Sequence, residues 1–455
     1  MKTFDLIIIG AGRGSYLAAK AANLGKKVAI IEKSKLGGTC PNRGCVPSKL
    51  LIGYANKIRE IKSSKKHYIK SFIDDIDIEK IFADTNDYIN SVEDFYEKIF
   101  NENVTVYRGE ASFVENKVIK INKDKITAEN IVISTGSRPA EPLTEGSWTS
   151  DNIFPLKQIP KSITIVGAGF IACELANFFD SIEVKTIQLV RGDTLLENED
   201  KDIQEIFKEQ YTKNVDVRFN TSIKEATKQT NNHFKIELED GNFIQTEALL
   251  YAIGRVSNAD TLNLENTDIK LNEKGFIKRD EFFQTDVKGV YVVGDASGEN
   301  MLQHAAAYEV NHLSKILFED KIKPLKFKYM PHAVFSDPEV ASVGLTEQKA
   351  KNLNLNYVVS TTNWKASAKA KALKIEYPQT KFILNPYTYE ILGCHLIGFE
   401  SATIIHQVLA VMHIDNDIRH LKNMLYIHPA LSEVLLPAAV NAIKVIKEYK
   451  KSQET

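Results

Sequence analysis

Unbroken apolar runs, each stopped by glycine, lay out the plan of this chain. DLIIIG at 5–10 is the first. A short run without polar alternation reads as a strand buried on both faces, the kind that parallel sheets contain. An alanine-rich stretch follows and reads as helix, and VAIIE at 28–32 reads as a second strand. The N-terminus is therefore expected to be a strand–helix–strand unit. Residues from about 50 to 100 are polar with helical character, and short strands around 104–135 lead to IVISTGSRP. The opening pattern then returns in SITIVGAGFIACELANFF at 162–179, which closes on TIQLVRG. Two such units predict two dinucleotide sites. VYVVGDAS at 290–297 is a further strand ending at Gly-Asp, and from about 328 strands give way to helical pattern after 401, a separate domain.

Length and composition narrow the class. At 455 residues the chain is too long for one core, and roughly two to four domains are expected. Hydrophobic content of 43% and charged content of 26% are those of a globular protein. A formal net charge of -1 gives no electrostatic reason to expect nucleic acid or an anionic membrane as partner. The apolar run in MKTFDLIIIGAG is too short for a signal peptide and ends in a glycine loop, not a cleavage site. No stretch approaches the roughly 20 apolar residues of a membrane span. The tail KVIKEYKKSQET reads as a fraying helix end. Four cysteines do not make a disulfide scaffold. A soluble cytoplasmic protein is expected, where a close cysteine pair is more often catalytic or metal-binding than a staple.

The first glycine loop reads GAGRGS, with a strand leading in and a helix leading out. Backbone that turns tightly against a pyrophosphate needs glycine, here Gly10 and Gly12. The helix N-terminus beyond it supplies free N–H groups and partial positive charge. Glu32 lies 20 residues past Gly12 (32 − 12), at the end of the second strand, where a carboxylate can accept from ribose hydroxyls. A helix-packing glycine turn is the alternative. The third glycine comes at Gly14 and Ser15 holds the sixth position, which predicts a loop or helix one residue short. The second loop reads GAGFIA, with Gly167, Gly169 and Ala172. Its following strand ends without an acid: Val190 stands where the ribose carboxylate is expected, and Arg191 comes next. An acid there repels a 2′-phosphate, whereas arginine pairs with it bidentately, so NADPH is favoured over NADH. Glu197 nearby opposes that preference, and a plain surface arginine is the alternative.

GGTCPNRGCVPSK at 37–49 carries two of the four cysteines, Cys40 and Cys45. Zinc wants four ligands in close pairs, and Cys173 and Cys394 lack partners at that spacing. They read as small buried hydrophobes. Two residues five apart on a regular helix rise about 7.5 Å along its axis, beyond the roughly 7 Å Cα limit of a disulfide. Pro41, Gly44 and Pro47 supply the means to bend. A distorted helix start is expected, able to hold a disulfide or two thiols. Thiols at a helix N-terminus have depressed pKa values and react as thiolates. Arg43, between them, either assists or is simply solvated.

This stretch resembles the redox-active motif of the pyridine nucleotide–disulfide oxidoreductases. The resemblance runs through the chain in order: GAGRGS with Glu32, GGTCPNRGCVPSK, ISTGSRP, GAGFIACE, LLYAIGRVSN, VYVVGDAS and HPALSE. It implies an α/β fold of two Rossmann-like dinucleotide-binding domains, for FAD and NAD(P), with an α+β C-terminal dimerisation domain. The expected map is residues 1–145 and 269–327 for FAD, 146–268 for NAD(P), and 328–455 for dimerisation. The resemblance makes Cys45 the thiol beside the flavin and Cys40 the interchange thiol that attacks substrate. Lys49 and Glu174 would pair near flavin N5, and Phe170 would gate the nicotinamide pocket. Asp295 would bind the ribityl chain. Further cofactor contacts are implied at Gly14, Gly38, Thr39, Ala111, Thr135, Gly136, Gly254, Arg255 and Gly294. His428, oriented by Glu433, would be the acid–base group and would act on the cysteines of a second subunit, which implies a homodimer.

The implied activity is an FAD-dependent NAD(P)H–disulfide oxidoreductase acting on a small-molecule disulfide or dithiol, with no metal. PSK, HPALSE and MLQH at 301–304 are similar to dihydrolipoyl dehydrogenase, whereas Arg191 is similar to NADPH-linked glutathione or mycothione reductases. A flavoprotein carrier or sensor without a dedicated disulfide is the reading from another class.

Overall fold

The computed structural model describes residues 1–154, 159–319 and 323–454. Its first body is built on the apolar opening run. Lys2–Ile9 lies parallel between Val28–Glu32 and Asp124–Ile133, and Val104–Arg108 extends the sheet beyond Val28–Glu32. Leu6, Ile7, Ile8 and Ile9 are almost wholly buried, as a strand covered on both faces requires. The long strand Asp124–Ile133 has two partners. Its first half pairs with the hairpin strand Val118–Ile121, and its second half with Val290–Val292 in parallel. The return of Val290–Val292 carries the Gly-Asp turn to the same sheet end as the first glycine loop.

The second body repeats the plan: Asp216–Arg218, Lys185–Leu189, Ser162–Val166 and Ala248–Tyr251 form one parallel sheet. A small antiparallel sheet of Ile223–Lys228, Phe234–Leu238 and Phe243–Thr246 covers it. The chain crosses between bodies through an antiparallel pair, Ser137–Pro139 against Arg255–Ser257. The expected boundary at residue 268 lies past this crossing. Ala259, Leu262 and Leu264 are buried in the core of the first body, and Phe113 donates its amide to the Leu262 carbonyl at 2.8 Å. Sequence texture does not change there, so only the pairing reveals the return.

The third body is a five-stranded antiparallel sheet, ordered His332–Val334, Val340–Gly344, Ile391–Ile397, Gln379–Leu384, Val358–Asn363. Helices Ser401–Ile414 and Leu435–Glu454 bury Ile404, Val408, Ala439 and Ile446 against it. Cys394 lies in its centre and Cys173 in helix Phe170–Ser181, both fully buried.

A polar seam joins the second and third bodies. The Lys381 side chain is fully buried and reaches Asp200, Asp202 and Glu347 at 2.8, 2.7 and 2.6 Å. Beside it, buried Glu199 accepts from Ser342 at 2.6 Å and meets His332 at 2.7 Å. A buried cation with this many carboxylates is held firmly only while all its partners remain. Among the described residues no helix is long and apolar enough to cross a membrane.

Candidate active site

The first glycine loop borders a groove enclosing about 1000 Å³ and open to solvent. Gly10, Gly12, Glu32, Gly38, Thr39, Ala111, Thr135, Gly136, Gly294 and Asp295, all expected cofactor residues, line it, together with Cys40. The glycines are there for space. A Cβ on Gly10, whose φ is +101°, would stand 2.3 Å from the Ser134 carbonyl oxygen, and one on Gly38 2.8 Å from Gly12 Cα. Glu32 is held by the amides of Ala11 and Ser34, both at 2.8 Å. Thr135 lines the groove with a buried hydroxyl that has no hydrogen-bond partner. Asp295 accepts from Ser137, and Ser137 in turn accepts from Arg255 Nε at 2.8 Å. Open backbone at a helix N-terminus, an acid at the strand end and an unpaired hydroxyl fit a dinucleotide such as FAD.

Two expectations for this loop change. Gly14 does not line the groove: its Cβ position lies 2.7 Å from Ile8 Cγ2, so it serves close helix–strand packing. Nor is the loop one residue short. Ser15 fills the sixth position fully buried, with its hydroxyl donating to the Ala11 carbonyl at 2.8 Å. A small side chain that satisfies its own hydroxyl substitutes for glycine there.

In the second loop, a Cβ on Gly167 would stand 2.4 Å from the Ala252 carbonyl oxygen and 3.3 Å from Ala172 Cβ, which explains both small residues. Gly169 and Phe170 line a cleft of about 2060 Å³ between the three bodies, and Phe170 is 44% exposed to it. Val190 is buried and Arg191 exposed; Glu197 reaches the cleft wall and Arg191 does not. Gly254 and Arg255 lie at the crossing between bodies. The Gly254 carbonyl accepts from Ala140 at 2.9 Å, and Arg255 is committed to Ser137.

The cysteine segment folds as two helices, Thr39–Arg43 and Cys45–Lys62, broken at Gly44. Here the bend is sharper than a distorted start. A Cβ on Gly44 would press to 3.1 Å on the Thr39 carbonyl oxygen, so glycine permits the two helices to fold together. Asn42 pins the first helix by donating to the carbonyls of Leu36 and Gly38 at 2.8 and 2.9 Å. The break brings the two thiols together, so that their ionisations are linked. Cys45 is brought down to about 7, first by the hydrogen bond from Cys40 and then, against the cost of burial, by Lys49. Cys40 is pushed up by the same bond and by burial. The pair thus places the thiolate on Cys45 and the proton on Cys40. Arg43 is not simply solvated: its Nε stands 3.2 Å from Asp151.

Lys49, on the second cysteine helix, meets Glu174 at 2.6 Å. The other Glu174 oxygen accepts from the Phe335 amide at 2.9 Å, and the Lys49 ammonium lies 4.9 Å from the Phe335 ring centre. One ion pair therefore ties all three bodies together beside the thiols. Burial pushes the Glu174 carboxyl up, and Lys49 opposes it. His428 stands apart, with 74% of its side chain exposed. Its Nδ1 meets Glu433 Oε1 at 2.9 Å, and Glu433 Oε2 accepts from the Ala430 amide at 3.0 Å. Neither thiol of its own chain is hydrogen-bonded to it. Leu425 and Ile427 beside it are 99% and 81% exposed. Ser137, Gln303 and Phe335 are residues of this site that sequence reasoning passed over. Only their placement by elements distant in sequence marks them.

The profile of the family described as pyridine nucleotide-disulphide oxidoreductase matches residues 4–309, and that of its dimerisation domain matches 330–439. The chain belongs to this family. It is a flavoprotein oxidoreductase of the type that couples FAD and NAD(P)H to sulfur groups. It is 31% identical to a glutathione reductase of Burkholderia cepacia, over 94% of this chain and 97% of that protein. It is equally 31% identical to a dihydrolipoyl dehydrogenase of Buchnera aphidicola, over 94% of each. In fold it is similar to the HOCl-induced flavoprotein disulfide reductase RclA of Escherichia coli, with a TM-score of 0.86 and 26% identity over 96% of this chain and 99% of that one.

Proposed function

We propose that this flavoprotein passes electrons between NAD(P)H and a small disulfide or dithiol through Cys40 and Cys45, as a homodimer whose sites are completed by His428 of the second copy. The observation that carries the reading is the helix break at Gly44, which brings the two thiols together with Cys40 on the wall of the nucleotide groove. FAD bound in that groove would accept hydride from the nicotinamide and deliver two electrons to the cysteine pair. In the reduced pair the Cys40 proton passes to His428, and the Cys40 sulfur attacks one sulfur of the substrate disulfide. The second substrate sulfur leaves as a thiolate and takes the proton from the imidazolium. The Cys45 thiolate then attacks Cys40, releases the substrate sulfur still bonded to it as a thiolate and restores the Cys40–Cys45 bond. Glu433 fixes the imidazole tautomer through Nδ1, leaving Nε2 for the proton. Lys49 and Glu174 keep a fixed charge pair beside the thiols.

Arg191 and buried Val190, in place of an acid, support NADPH as a usable donor. The substrate side is dihydrolipoyl dehydrogenase-like by its motifs, and a low-molecular-weight disulfide reductase is the second reading, favoured by Arg191. Cys40→Ser tests the scheme. It is expected to abolish disulfide turnover while one equivalent of NAD(P)H still reduces the bound flavin. Undiminished turnover would sink the scheme and favour a carrier without a disulfide substrate.

A further inference from the structure

The groove wall beside Cys40 holds a charge that this scheme does not use. Arg13 stands within the first glycine loop, half-buried, and lines the groove with Cys40 and Gln303. Its other side borders a second hollow of about 570 Å³, open to solvent and shared with Tyr16, Lys20, Asn311 and Ser314. Lys20 is already committed, to Ser314 and Glu319, each at 2.9 Å. Arg13 is not: among the described residues it forms no salt bridge.

Its neighbours fix it in place without neutralising it. The guanidinium lies 5.2 Å from the centre of the Tyr16 ring. With its amide turned to suit, the Gln303 oxygen accepts from Arg13 Nε and Nη2 at 2.5 and 2.9 Å. Tyr16 is in turn braced edge-on by buried Tyr96, at 5.9 Å between ring centres. A planar cation held on one edge by an amide and on one face by a ring keeps its remaining N–H groups aimed and undischarged. That is the arrangement which receives a carboxylate. It stands between the thiol expected to attack and a hollow of small-molecule size.

We propose that Arg13 is a specificity-determining residue that receives a carboxylate of the substrate, so that the favoured substrates are small acidic disulfides. This rests on the reading of Cys40 as the interchange thiol. The positive charge also eases ionisation of Cys40, a lesser and substrate-independent effect.

The test uses a pair of substrates with one disulfide ring and different charge, lipoate and lipoamide. The flavin-loaded wild type is expected to favour lipoate in kcat/KM. Arg13→Gln is expected to lower the lipoate/lipoamide ratio about tenfold, chiefly through the KM of lipoate, the worth of one charge-assisted hydrogen bond. Arg13→Lys is expected to keep most of the ratio. An equal fall for both substrates, or no charge preference in the wild type, overturns the proposal. So does loss of flavin from Arg13→Gln, which would assign the guanidinium to the cofactor. Should the wild type turn over neither substrate while NAD(P)H still reduces it, the disulfide reading itself fails, and this one with it.

Discussion

Replacing Cys40 with alanine removes the hydrogen bond that contributes most to the acidity of Cys45. The structure brings Cys45 to about 7 from an ordinary value of 9.0. With Cys40 gone, burial and Lys49 remain and oppose each other, so the thiol is expected to return to within about half a unit of 9. At pH 7 the thiolate fraction then falls from about one half to about 1%, roughly fiftyfold. A more basic thiolate is also a better nucleophile, by about eightfold over two units for a Brønsted slope of about 0.45. The net expectation is a drop of about sixfold in alkylation of Cys45 at pH 7, and an upward shift of its pH midpoint by about 1.5 to 2 units. Dithiol-reduced, desalted holoenzyme would be alkylated with iodoacetamide from pH 5.5 to 10, and the Cys45 peptide quantified by mass spectrometry. A midpoint that moves by less than about 0.3 units in Cys40→Ala would refute the assignment of the shared proton.

Other consequences concern the ion pairs and the nucleotide cleft. Lys49→Met leaves Glu174, 4% exposed, without its cation; a loss of about 2–4 kcal/mol is expected in urea unfolding at pH 8. Because burial already raises the folded carboxyl above its unfolded value, this loss should shrink as pH falls and Glu174 takes up a proton. A deficit that instead deepens toward low pH would contradict the burial argument. Lys381→Met strips the cation from the Asp200, Asp202 and Glu347 cluster and should cost about 3–5 kcal/mol, read as a fall in denaturation midpoint. A change under about 1 kcal/mol would mean that the carboxylates rehydrate freely. Arg191→Glu should cut kcat/KM for NADPH at least about tenfold and spare NADH; a native preference for NADH already present in the wild type would remove the role given to Arg191.

The opening run DLIIIG, its glycine loop and Glu32 were legible because each obeys a local rule: strand burial, backbone space, and an acid at a strand end. The two parallel sheets follow from the same pattern met twice. Gly14 and Ser15 were misread because the count of residues in a loop does not show which of them face the groove. The return of the chain at 255, not 268, was hidden because strands of three residues carry almost no periodicity.

The reaction type was legible through the resemblance that GGTCPNRGCVPSK and the other motifs carry in order; the cysteine spacing alone asked only for a bent segment able to hold a disulfide or two thiols. The resemblance also supplied the acid–base candidate, His428 with Glu433. Tertiary structure alone decided how the charges are shared. Lys49 and Glu174 lie 125 residues apart and meet at 2.6 Å. Asp200 and Lys381 lie 181 apart and meet in the interior. Arg43 finds Asp151, whereas Arg13, beside Cys40, forms no salt bridge among the described residues. Such pairings depend on distances across domain seams, and no local rule of spacing or propensity encodes them.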